Sequence, residues 1–282
     1  MAEPFTRNYQ TLRHQGGRSA LAGDEVVVEE PLEIRLAGEA LAVTMRTPGH
    51  DEELAAGFAL TEGLVDHPED LEAVRPCSEA KWGNLVELEL VAEVSESRSR
   101  RAAREMFLSS SCGLCGKESI DRIRQHLAPL ANGPEVDVAL LEKLPEKMLA
   151  EQGAFAATGG LHAAALFRKD GRLSVLREDV GRHNAVDKVL GHELLLGRLP
   201  LSDGILLVSG RLSFEIVQKA GRAGVPLLCA VSAPSSLAID LAAEVGMTLV
   251  GFLRSGRMNV YTDAPGRLSS GSNPPGGSSR SS

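Results

Sequence analysis

The chain has 282 residues, a net charge of -8, 43% hydrophobic and 24% charged residues. That length can bury one large or two modest cores, and the balance is that of a soluble globular protein. The negative charge argues against a nucleic-acid binder working through a bulk positive field, and no apolar run approaches the ~20 residues of a membrane helix.

Met1 to Gly23 reads as a flexible arm, polar and without a period, with Gly16-Gly17 near its middle. Two extended runs come next, Glu25 to Leu36 and Glu39 to Arg46, joined at Ala37-Gly38 as a half-buried hairpin. Asp51 to Glu62 predicts a helix with Leu54, Ala55, Phe58 and Ala59 on its apolar face, and Asn84 to Val91 a strand. Glu93 to Arg104 turns polar and gathers Arg98, Arg100, Arg101 and Arg104, either as a solvated connector or as a cationic approach to a cysteine loop.

That loop is Ser-Ser-Ser-Cys-Gly-Leu-Cys-Gly-Lys, Ser109 to Lys117, with two of the four cysteines at Cys112 and Cys115. Small residues leave the sulfurs uncovered, and a helical pattern runs from Glu118 to Leu130. A helix start and Lys117 both favour thiolate over thiol, the form that attacks sulfur. Met1 to Arg18 lacks the apolar middle of a signal peptide, so the chain is expected in the cytoplasm, where thiols stay reduced. The loop therefore reads as sulfur-transfer, redox or metal chemistry. Zinc is disfavoured by a single cysteine pair with no His-x3–5-His, and a thioredoxin-like pair by the three serines before it.

Asp137 to Leu149 predicts a short helix interrupted at Pro145. From about Gly153 strands and helices alternate. Leu161 to Arg168 and Arg172 to Glu178 form a hairpin, His183 to Leu196 a helix and Gly204 to Val208 a strand. Leu212 to Ala223 is helical, Pro226 to Val231 a strand, Pro234 to Val245 a helix, and Met247 to Leu253 and Met258 to Tyr261 the last strands. The alternation predicts a mainly parallel sheet covered on both faces. The fold class is α/β, with an α+β N-terminal part at 24–150 and a C-terminal domain at 151–264. Residues 265–282 read as a disordered tail, rich in Gly, Ser and Pro from Leu268 onward.

Three stretches of the second half carry chemistry. Arg177 to Lys188 packs Asp179, Arg182, His183, Asn184, Asp187 and Lys188 around a helix start, with Asp179 a candidate cap and His183 stacked on Asp187. Ser209-Gly210-Arg211 and Ser232-Ala233-Pro234-Ser235-Ser236 each lie between a strand and a helix, as N-caps or as phosphate holders. Phe252-Leu253-Arg254-Ser255-Gly256-Arg257 places two arginines about Ser-Gly, either a clamp for an anion or a flat base, or a basic turn. Cys229, inside an apolar strand, reads as a small buried hydrophobe, and Cys77 stands alone.

In this order, Ser111 to Gly116, Glu178 to Lys188, Ser209 to Arg211, Ser232 to Ser236 and Gly251 to Tyr261 resemble the formate dehydrogenase accessory sulfurtransferase family, FdhD. The resemblance spans roughly Glu25 to Tyr261. It implies a protein that takes sulfane sulfur from a cysteine desulfurase and delivers it to molybdenum bis(molybdopterin guanine dinucleotide), which then serves the formate dehydrogenase apoenzyme. Cys112 would hold the persulfide and Cys115 would assist or resolve it. Phe252, Leu253, Arg254, Ser255, Gly256 and Arg257 match the family's cofactor-binding turn. The resemblance also implies a cytidine-deaminase-like, three-layer α/β C-terminal half and a homodimer. Deamination itself is disfavoured: His192 and Glu193 are adjacent rather than separated, and the Cys-x-x-Cys lies upstream of the repeating half. Two alternatives stay open, a nucleotide-binding chaperone without catalysis and a thiol–disulfide switch.

Overall fold

The computed structural model describes residues 5–77, 84–91, 127–130, 133–263 and 265–270. It opens on a hairpin, β1 (Thr6–Gln15) and β2 (Arg18–Val27), so the expected arm is ordered. Gln15 pairs with Arg18, and Gly16 and Gly17 both sit at positive φ (57° and 77°). This is a tight two-residue turn that L side chains adopt poorly. No period shows in the sequence because almost every residue of the ribbon faces solvent, so no apolar face had to be written into it.

A four-stranded sheet comes next, in the order β4-β3-β6-β5. Its strands are β3 (Glu30–Leu36), β4 (Glu39–Arg46), β5 (Leu71–Pro76) and β6 (Leu85–Leu90). The extended run from Glu25 therefore breaks in two before Glu30. Helix α1 (Asp51–Thr61) lies against this sheet, with Asp51, Glu52 and Glu53 in its first turn, where the helix dipole favours anions. Leu54, Ala55, Ala59 and Leu60 pack on Leu32, Ile34, Val86 and Leu88. Phe58, expected on the buried face, is half-buried, whereas Ala56, Gly57 and Thr61 are buried.

The second half is a six-stranded sheet in the order β13-β12-β11-β10-β8-β9. The strands are β8 (His162–Arg168), β9 (Leu173–Asp179), β10 (Gly204–Val208), β11 (Leu227–Ala230), β12 (Thr248–Arg254) and β13 (Arg257–Thr262). Only β10 with β11 and β11 with β12 are parallel, so the sheet is mixed rather than mainly parallel. The reason is local: short turns close β8–β9 and β12–β13 as hairpins, and such connections force antiparallel pairing.

Helices α5 (Arg182–Leu195), α6 (Phe214–Arg222) and α7 (Ser236–Glu244) cover one face. The short helices α2 (Val138–Leu141) and α3 (Leu144–Ala150) cover the other, where Leu141, Leu144 and Met148 pack on Phe167, Ile205 and Cys229. Pro145 sits in the first turn of α3, where the missing N–H costs nothing, so the break at this proline becomes a helix start. A single turn-length helix, α4 (Gly153–Thr158), precedes β8.

One core joins the two halves, because α1 packs directly on α5 and Leu54, Ala55 and Leu60 share a cluster with Val186, Val189 and Leu190. The chain also folds back at its end. β14 (Leu268–Ser269) pairs with β7 (Val136–Asp137), and the buried Arg267 donates to the carbonyl of Gly246 at 2.7 Å. Leu268 and Ser269 are thus part of the sheet system, not of a tail. The helix expected to reach Leu130 does not: residues 127–130 are non-helical, with the Leu130 amide bonded to Val245.

Candidate functional site

The polar stretch from Arg177 to Lys188 is used mostly to fasten the two halves together. Asp179 is fully buried and receives the Gly181 amide at 2.8 Å, Asn184 Nδ2 at 3.0 Å, the Thr47 amide at 3.1 Å and Lys188 Nζ at 2.7 Å. Lys188 also donates to the Thr47 carbonyl, and Asn184 to the Met45 carbonyl. Asp179 therefore caps no helix N–H beyond the first loop amide; it locks the end of β4 to the start of α5. Glu178 receives the amides of Ala154 and Phe155 at 3.0 and 2.7 Å, so the start of α4 rests on a carboxylate.

His183 and Asp187 do not meet. Asp187 pairs with the buried Lys219 at 2.8 Å and accepts from Thr61, while His183 Nε2 lies 2.7 Å from Glu215. Burial opposes the charge on Lys219, but Asp187 and Glu62 outweigh it and raise its pKa. On α1, Glu53 accepts from Arg177 of β9 and from His192, farther along α5. Burial alone would raise its pKa; hydrogen bonds from Arg177, His50 and His192 hold it well below the ordinary carboxylate range.

Two groups of this stretch, Arg182 and His183, reach the carboxyl edge of the parallel strands. Three loops run side by side there. Leu212 donates to Ala233 and accepts from Ser235, and the Phe252 amide donates to Ser232 at 3.0 Å. Neither Ser209 nor Ser232 is an N-cap. Ser209 prolongs the pairing of β10 with β8, its Oγ accepting the Ala163 amide at 2.9 Å, and the residue flanking α6 is Ser213. Ser235, not Ser232, caps α7 by accepting the Ala238 amide. The strands end where the sequence places their ends; the loops beyond them are longer than a capping role requires.

The turn Phe252 to Arg257 lies on the same edge. Leu253 is fully buried in the second core, so it holds the turn in place and presents no surface to a ligand. Arg254 and Arg257 pair directly across the hairpin and both are exposed, with no acidic partner among the described residues. Like charges placed opposite each other destabilise a hairpin, and an anion bridging them removes that cost. Phe252 is the larger anomaly. It has φ of 52° at a break in the β12–β13 register, and the residue is 38% exposed. A bulky residue in the left-handed region costs roughly 1–2 kcal/mol. The chain holds an aromatic ring outward here against its own backbone preference. No sequence signal announces this.

Cys112, Cys115, Lys117 and the arginines at 98, 100, 101 and 104 lie outside the described residues. Cys229 is buried, with its thiol pKa pushed far up by desolvation, and is the inert hydrophobe expected; Cys77 is half-buried. Among the described residues no group of three or more His, Cys, Asp or Glu side chains is placed to hold a metal ion, and no helix is long and apolar enough to cross a membrane.

The profile of the FdhD/NarQ family matches residues 27–269. The chain belongs to that family. Among its relatives, the sulfur carrier protein FdhD of Streptomyces coelicolor is 51% identical over 267 residues, covering 92% of this chain and 94% of that protein. The protein of the same name from Mycolicibacterium paratuberculosis is 50% identical, covering 88% and 93%. A crystal structure from Desulfotalea psychrophila, assigned as a formate dehydrogenase accessory protein, superposes with a TM-score of 0.76 at 28% identity, over 94% of this chain and all of that one. The matched residues, 27–269, include the four- and six-stranded sheets, Arg182, His183 and the Phe252 turn.

Proposed function

We propose that this protein is a cytoplasmic sulfur carrier. It accepts sulfane sulfur from a cysteine desulfurase as a persulfide on Cys112, with Cys115 assisting. It passes that sulfur to molybdenum bis(molybdopterin guanine dinucleotide), which formate dehydrogenase requires, and it works as a homodimer. The observation that carries the reading is the near-half identity, over almost the whole chain, to proteins named as sulfur carriers. The edge geometry supports the cargo: exposed Phe252 suits a guanine face, and the exposed pair Arg254 and Arg257 suits a phosphate elsewhere on the cargo.

The test is to load the protein with desulfurase and cysteine and read added sulfur by mass spectrometry. Cys112→Ala is expected to gain none and to leave formate dehydrogenase inactive. Sulfur still gained at Cys115 together with an active dehydrogenase would overturn the assignment. An active dehydrogenase after loss of both cysteines, abolished by Arg254→Ala, would favour the non-catalytic chaperone.

Phe252 offers a separate check. Phe252→Gly is expected to raise the melting temperature by relieving the left-handed backbone, while weakening guanine nucleotide binding by the ~1–3 kcal/mol of one stacked base. A variant that binds nucleotide as tightly as the wild type would remove the ring from the site.

A further inference from the structure

At the start of α5, Arg182 lies over the loop that leaves β10. Its Cβ and Cδ are 3.5 Å from where a Cβ on Gly210 would stand, and His162 Nδ1 is 3.6 Å from the same point. The Nε of Arg182 is buried and has no hydrogen-bond partner among the described residues. His183 completes the corner, held by Glu215 at 2.7 Å and 3.5 Å from Ser213 Oγ. These basic groups feel one another: burial first, then Arg182 and His183, lower the pKa of His162. Arg211, exposed, follows Gly210 in the same loop.

The acids facing this corner do not neutralise it. Asp179 is taken by Lys188 at 2.7 Å, which leaves Glu215 against two arginines and a histidine. An arginine fork with an unfilled N–H, among like charges, is a seat for an anion from outside.

We infer that Arg182, His183 and Arg211 form a second anion subsite at this corner, and that it takes the phosphate groups of the nucleotide whose ring lies on Phe252. The inference rests on the proposed guanine-nucleotide cargo and deepens it. The two ends line up along one edge. The Phe252 amide is bonded to Ser232, and the loop from Ser232 is bonded through Ala233 and Ser235 to Leu212, one residue past Arg211. Ring contact and phosphate contact thus fall on one edge, on loops tied to each other through the Ser232–Ser235 loop between them. Arg254 and Arg257, at the far tip of the hairpin, are left for another phosphate of the cargo.

The experiment is calorimetric titration of the full-length protein with inorganic pyrophosphate and, in a second arm, with GDP. The unsubstituted protein is expected to bind both. Arg182→Ala and His183→Gln are expected to lose about tenfold or more in affinity for either ligand, and Arg182→Lys to recover part of it. Phe252→Ala is expected to weaken GDP far more than pyrophosphate. Thermal unfolding identifies any variant that fails to fold, and His183→Gln then carries the test alone. Unchanged pyrophosphate affinity in folded Arg182→Ala and His183→Gln overturns the subsite. So does an affinity lost only in Arg254→Ala, or no pyrophosphate binding by the unsubstituted protein. Sulfur loading on Cys112 of the unsubstituted protein is scored separately. If it occurs while the subsite fails, the sulfur-carrier reading stands without this inference; if it does not occur, that reading fails by itself.

Discussion

Gly191→Ala is expected to unfold at a much lower urea concentration than the wild type, with a loss above about 3 kcal/mol, and Gly57→Ala to behave alike. A Cβ on Gly191 would stand 1.8 Å from the Glu53 carbonyl oxygen and 2.6 Å from the Gly57 nitrogen, and one on Gly57 would stand 1.8 Å from the Asp187 carbonyl oxygen. What each added carbon meets is backbone of the facing helix, which cannot rotate aside as a side chain would. Alanine returns about 1 kcal/mol of helix propensity at such a site, too little to offset prising α1 from α5. The penalty is a sizeable fraction of the roughly 5–15 kcal/mol that ordinarily holds a domain folded. Gly153→Ala is the control: nothing lies within 4 Å of its would-be Cβ, so it is expected to change stability little. Equal urea midpoints for Gly191→Ala and wild type would show that the helices do not meet backbone to backbone.

Asp179→Ala is expected to cost a comparable ~3–5 kcal/mol or more. The change strips the buried Lys188 of its 2.7 Å partner and leaves the amides of Thr47 and Gly181 and the Asn184 amide group short of an acceptor. An uncompensated buried charge is what makes breaking such a pair severe, whereas replacing both partners by apolar groups is often close to neutral. Asp179→Leu combined with Lys188→Met is therefore expected to recover much of the loss in a denaturant series. The single variant should also weaken anything bound near Arg182 and His183, because Asp179 fixes the loop that leads into them. A folded, fully stable Asp179→Ala protein would contradict the hydrogen-bond pattern.

The extent to which the chain announced its own form differs from element to element. β3–β4 and α1 were legible because each buries one face and so carries a period of two or of about 3.6, and β8, β10 and β11 because each is a short apolar run buried on both faces and bounded by turn residues. The β1–β2 ribbon was not, because an element exposed on both faces needs no such pattern. The parallel expectation failed for a related reason: periodicity reports burial, and a strand buried on both faces reads alike whichever way its neighbour runs.

The same division holds for the site. The residue types at Ser209, Ser232 and Arg254 to Arg257 pointed to one edge of the sheet, and the structure does bring those loops side by side there, since a strand running into a helix must place its connecting loop at the strand's end. Which groups are spent on structure was not visible. From Arg177 to Lys188 acids and bases stand side by side along the chain. Only packing against Thr47, Thr61 and Glu53 shows that Asp179, Asp187, Lys188 and Arg177 are consumed in fastening the two halves, while Arg182 and His183 stand at the carboxyl edge of the sheet, His183 against Glu215.

By itself, then, the amino-acid order determined the family and the α/β class, and it holds the Cys112–Cys115 pair on which the proposed sulfur chemistry rests. Those properties are written in residue types and in their spacing along the chain. Tertiary structure alone decided the close approach of Gly57 and Gly191, the left-handed Phe252 and the survivors of the polar stretch at the start of α5. Each depends on which atoms from distant positions come within a few ångströms, and no local pattern encodes that.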